Sequence, residues 1–141
     1  MDFSYRQLPS LSYNYLLLRL IDAYKTHDRL VIAYDIDDTV RPYYCSSCNA
    51  IVELLKNAKE VLNPYFIVYT SNPNIDGIKE FLNEKGIPYD SINENAPFVP
   101  FNNGKLYYNL FLDDKAGLTQ TSSTLNDLVQ LVKKGYIKKE C

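Results

Sequence analysis

The chain is poor in the residues that mark several large protein classes. It has three cysteines, Cys45, Cys48 and Cys141. An odd, low count argues against a disulfide framework. The lone histidine is His27, so Cys45-Ser46-Ser47-Cys48 lacks the second ligand pair of a structural zinc site. Five glycines and seven prolines in 141 residues exclude collagen-like and low-complexity chains. Neither sign of charge dominates: 15 Lys and Arg face 17 Asp and Glu, a net charge of −2. The basic excess that attracts nucleic acid or anionic lipid is missing. No run approaches the ~20 apolar residues that span a bilayer. Met1 to Arg6 lacks the basic-then-apolar pattern of a secretory signal. A cytoplasmic chain with no membrane partner is expected.

What is present is an ordinary globular composition, 46% hydrophobic and 23% charged. The length fits a single domain over 1–141, with 1–29 as a helical extension on or beside the core. Leu16, Leu17, Leu20 and Ile21 recur at helical spacing and predict a helix over 11–24. Leu30 to Tyr34 is a short apolar run rich in Val and Ile, the pattern of a strand buried on both faces. A helix is expected over 48–60, capped by Ser46 or Ser47, then a strand over 65–69 and a helix over 75–84. A short strand fits 88–92, a loop 93–104, a strong strand 106–112 and a last helix 125–134. This alternation builds βαβ crossovers and a mostly parallel, Rossmann-like sheet in a three-layer αβα sandwich. Such sheets bind ligands beyond the carboxyl ends of their strands. Asp35, Asp37, Thr70, Ser71, Asp113 and Asp114 all fall at those ends.

Asp35-Ile36-Asp37-Asp38-Thr39 directly follows an apolar strand, and Phe111-Leu112 ends in Asp113-Asp114. Between them stand Ile67-Val68-Tyr69-Thr70 and Gly104-Lys105. Together these segments resemble the four motifs of the haloacid dehalogenase (HAD) superfamily, over most of residues 30–116. The resemblance implies a Mg²⁺-dependent phosphatase that works through an aspartyl-phosphate. In that scheme Asp35 is the nucleophile and a metal ligand. Asp37 protonates the leaving oxygen, then activates water, and helps hold the metal through its backbone carbonyl. Asp113 is the first choice for the carboxylate metal ligand from the last strand, with Asp114 second. Thr70 and Lys105 bind the phosphoryl oxygens, and Ser71 and Asn72 extend the substrate contact. Thr39 braces the loop around Asp35.

The chemistry fits the residue types. A phosphomonoester dianion repels a carboxylate nucleophile, and carboxylate and carbonyl oxygens suit the Mg²⁺ that offsets this charge. About eight residues separate Thr39 from the next helix, too few for a folded cap, so a capless, open site is expected. The expected partner is a phosphorylated substrate, with a nucleotide or a phosphorylated macromolecule both in range.

Plainer readings stand beside this one. Asp35 and Asp37 also suit a strand-closing turn, Thr70 a strand-end cap, and Lys105 a solvated loop. A catalytically idle binding module on the same fold is an alternative function. Thiol redox chemistry at Cys45 and Cys48 is another, near a helix start that lowers a thiol pKa. Tyr43 and Tyr44 follow the acidic loop and are candidates for substrate contact.

Overall fold

A computed structural model describes residues 11–42, 48–100 and 104–140. Among the described residues there are four helices and four strands: α1 (Leu11–Thr26), β1 (Val31–Tyr34), α2 (Cys48–Leu62), β2 (Tyr65–Val68), α3 (Ile75–Lys85), β3 (Ser91–Ile92), β4 (Leu110–Leu112) and α4 (Leu118–Lys133). The sheet is all parallel, in the order β3-β2-β1-β4. No helix among the described residues is long and apolar enough to cross a membrane.

β1 is central and all four of its side chains are buried, as its continuous apolar run requires. α2 presents Ile51, Val52, Leu54, Leu55, Ala58 and Leu62 to the core, the expected apolar stripe. α3 starts where Asn74 Oδ1 accepts from the Gly77 N–H (3.1 Å). It stops at Gly86, whose φ of 66° is the left-handed closure that glycine permits. Lys139 Nζ donates to the carbonyls of Tyr24, His27 and Asp28, which satisfies the C-terminal end of α1. Leu20 and Tyr24 place α1 in the main core.

Topology assigns the layers. Right-handed crossovers from β1 through β2 to β3 put α2 and α3 on one face of the sheet. Ile32, Tyr34, Phe66, Val68, Leu110 and Leu112 share one core with buried residues of all four helices. The link from β3 to β4 runs back past β2 and β1, so it crosses the opposite face. There Val31, Ala33 and Ile67 are covered by Ala96, Val99, Leu106 and Tyr107. The architecture is the expected α/β sandwich in three layers, with irregular chain in the third layer where helices were expected.

Two boundaries move furthest. The strand expected over 106–112 begins only at Leu110, because the preceding residues spend their polar groups elsewhere. The Tyr107 N–H donates to Asn95 Oδ1 (2.7 Å), and Asn109 pairs with Val31 through its own backbone and side chain. The terminal helix, expected from 125, begins at Leu118. Its first turns, Leu118 to Thr124, are rich in Thr and Ser and show little apolar period. Buried Thr124 is tolerated because its hydroxyl bonds back to the Gln120 carbonyl (2.8 Å).

Candidate active site

β1 and β4 are neighbours, and the strand order reverses between them: the chain runs from β1 outward to β2 and β3, then returns to place β4 on the other side of β1. This is a topological switch point, where parallel sheets leave a crevice beyond their carboxyl ends. The pairing persists one residue past each strand. The Asp35 N–H donates to Leu112 O (3.0 Å), and the Tyr69 N–H donates to Tyr34 O (2.9 Å). Asp35 therefore emerges beside Asp113. Carboxylate oxygens of Asp35, Asp113 and Asp114 lie within 4.8 Å of one another.

The loop after Asp35 is tight. The N–H groups of Thr39, Val40 and Arg41 all point to Ile36 O, and the Asp38 N–H returns to Arg41 O (2.8 Å). The turn forces Asp38 to a φ of 59°, a left-handed value that Asp tolerates better than most residues. Thr39 is fully buried, and its Oγ1 accepts from the Asp114 N–H (3.1 Å). That one bond ties the loop of Asp35 to the loop of Asp113 and Asp114. The bracing role expected of Thr39 is this contact.

Crowding three carboxylates has an electrostatic cost. The Asp35 pKa is pushed up from 3.8 to about 6. Burial is the main cause; the charges of Asp113, Asp114 and Asp37 add to it, and the Ile36 backbone N–H works the other way. Asp114 is also raised, by desolvation and then by neighbouring Asp113. Lys115 N–H donates to Asp113 Oδ1 (3.0 Å), which fixes the turn after β4.

The other expected residues are placed as follows. Asp37 lies on the same loop, but its Oδ1 accepts from both Nε and Nη2 of Arg41 (2.9 and 2.7 Å). It is outside the group of three carboxylates. Thr70 follows β2, and its Oγ1 accepts from the Asn72 N–H (3.1 Å). Asn72 Oδ1 in turn accepts from the Asn74 N–H, so Thr70 to Asn74 form a chain of side-chain-closed turns leading into α3. Ser71 is exposed. Lys105 lines a cleft of about 450 Å³ with Asn93 to Pro97 and Val99; the three carboxylates do not line it.

Cys48 is buried at the start of α2. Cys45, the capping Ser46 or Ser47, Tyr43 and Tyr44 lie outside the described residues. The whole chain matches no family model, no curated protein and no solved structure.

Two residues at the site escaped the sequence reading. Arg41 neutralises Asp37, and its i+4 spacing was the available signal. Asn93 clamps Thr70: it accepts from the Thr70 N–H (2.9 Å) and donates to the Thr70 carbonyl (2.7 Å). Its φ of 57° bends the chain back after β3. An Asn directly after a short strand is the sole sequence trace of this role.

Proposed function

We propose that this chain is a Mg²⁺-dependent phosphomonoester hydrolase of the HAD type that acts through an aspartyl-phosphate on Asp35. The observation that carries the reading is the convergence of Asp35, Asp113 and Asp114 within 4.8 Å at the switch point of a parallel sheet. The donor set fits the metal. Three hard carboxylate oxygens suit Mg²⁺, and two of the three are held above their ordinary pKa by desolvation and crowding that a divalent cation offsets. Asp35, Asp113 and Asp114 would hold the ion, with the Asp37 carbonyl. Bound there, it supplies positive charge that lets the phosphate dianion approach the nucleophile.

The chain's own residues then divide the work. An Asp35 oxygen attacks phosphorus while the bond from phosphorus to the alcohol oxygen breaks. The alcohol leaves with a proton from Asp37. Asp37 next takes a proton from water, which attacks phosphorus. The bond to Asp35 breaks, and inorganic phosphate and a free carboxylate result. Thr70, held by Asn93, and Lys105 carry the phosphoryl oxygens in this scheme. Among the described residues no folded module covers the carboxylates, which supports a capless site.

The Arg41–Asp37 pair favours a second reading. With Asp37 engaged, the same crevice would bind a phosphate group without turning it over. A panel of phosphomonoesters assayed with Mg²⁺ and with EDTA decides between them. Metal-dependent release of phosphate, abolished in Asp35→Asn, supports the enzyme. Activity that survives EDTA or Asp35→Asn refutes the mechanism. Binding of phosphate esters without turnover selects the second reading.

A further inference from the structure

Three aromatic rings run away from the carboxylates, with Phe111 on one face of the sheet and Tyr108 just before β4. Tyr69 and Phe111 meet with ring centroids 5.4 Å apart, nearly edge to face. Phe111 and Tyr108 follow at 5.3 Å. The row closes over β1 because Ala33, in register with Phe111, has only a methyl group to place between β2 and β4. Strand alternation puts Ala33, Ile67 and Phe111 on the face opposite the helices. Continued one pair further, the same alternation puts Tyr69, Asp35 and Asp113 on that face. The Tyr69 backbone is one strand spacing, about 4.8 Å, from that of Asp35, and Phe111 is about 6.6 Å before Asp113.

These rings are not simply core. Tyr69 is 47% exposed and Tyr108 is 38% exposed, while Phe111 is half-buried against the Val31–Ala33–Ile67 cluster. A row with a packed base and two open ends, starting beside the nucleophile, presents π-faces and edges to whatever is esterified to the phosphate. Aliphatic side chains would seal the sheet equally well; rings add stacking, which is sequence-tolerant and energetically useful.

We propose that Tyr69, Phe111 and Tyr108 form a platform for the alcohol part of the substrate, which is a phosphomonoester carrying a planar aromatic ring. This rests on the phosphatase reading of the same site. Two sources share that chemistry, an aryl phosphate and a nucleoside 5′-monophosphate. In the first, the ring adjoins the ester oxygen and lies on Tyr69. In the second, a sugar intervenes and the base reaches Phe111 and Tyr108.

The test compares kcat/KM with Mg²⁺ for phenyl phosphate, adenosine 5′-monophosphate and glycerol 3-phosphate. The last two have leaving alcohols of like kind, so their difference reports the ring. At least one aromatic ester is turned over about tenfold better than glycerol 3-phosphate, and the winner assigns the source. Tyr69→Ala cuts that preference about tenfold, the scale of one lost stacking contact, and Tyr69→Phe restores it. Equal kcat/KM for aromatic and aliphatic esters, or a preference untouched by Tyr69→Ala, overturns the platform and leaves the phosphatase intact. Calorimetric binding to Asp35→Asn separates the two claims where no ester is hydrolysed. Tighter binding of adenosine 5′-monophosphate or phenyl phosphate than of inorganic phosphate, lost on adding Tyr69→Ala, upholds the platform without the hydrolase. Absence of any such binding overturns both.

Discussion

Replacing Asp35, the proposed nucleophile, with its neutral isostere should make the metal-free protein more stable. The folded-state pKa of Asp35 rises from 3.8 to about 6 through burial and the charges of Asp113, Asp114 and Asp37. A raised carboxylate pKa means that the folded state disfavours the ionised form. Its stabilising contribution is complete below pH 3.8 and is lost as pH rises through 6. At full value the displacement corresponds to about 3 kcal/mol. Asp35 is half-buried, and solvent screening reduces this to about 1 kcal/mol. Asp35→Asn removes the ionisation. In EDTA at pH 7.5 the variant should gain about 1 kcal/mol, a rise in Tm of roughly 3–5 °C for a domain of this size. At pH 4 the two proteins should melt together, because Asp35 is then protonated. Urea or thermal melts across pH 4–8 read the difference. A variant that is less stable at pH 7.5, or whose gain is the same at pH 4, refutes the electrostatic account. Millimolar Mg²⁺ should raise the Tm of the wild type and leave the variant nearly unmoved.

Other perturbations test the parts separately. Thr39→Val keeps the volume but removes the acceptor of the Asp114 N–H; it should cost about 1–2 kcal/mol in urea melts and weaken Mg²⁺ binding by calorimetry. An unchanged affinity would show that Thr39 does not align the two acidic loops. Asn93→Ala removes both bonds to Thr70 and leaves a side chain at a left-handed φ. It should lose about 2 kcal/mol and raise KM, whereas Asn93→Gly, free of the backbone penalty, should recover part of the stability alone. Asp37→Asn should lower kcat by about 10²–10⁴-fold on unactivated esters, with little change in KM. A kcat within a few-fold of wild type would remove Asp37 from proton transfer.

Much of this site was legible before any coordinates. An apolar run that ends abruptly in acids states both the strand and the polar edge beyond it, because a strand buried on both faces can place charge only at its ends. Asp35, Thr70, Asp113 and Asp114 could all be located this way, and the sheet edge they share follows from the parallel sheet. The limits were those of local pattern. Leu106 to Leu112 has the composition of a strand, yet Tyr107 and Asn109 commit their polar groups to Asn95 and Val31. Leu118 to Thr124 has little helical period, yet packing against the core and a hydroxyl back-bond hold it in α4.

Local pattern alone states which chemistry the chain can offer and at which strand ends it sits. Residue type and position along an apolar run decide that without reference to the rest of the molecule. Which acids come together is set by the fold in three dimensions. Asp37 is two residues from Asp35, yet Arg41 takes its carboxylate, while Asp113 and Asp114, far along the chain, complete the cluster. The aromatic row beside them exists only because sheet register sets Phe111 and Ile67 on either side of Ala33, with Tyr69 two residues beyond Ile67. Sequence spacing cannot express these relations, because strand order and the direction of each crossover set them.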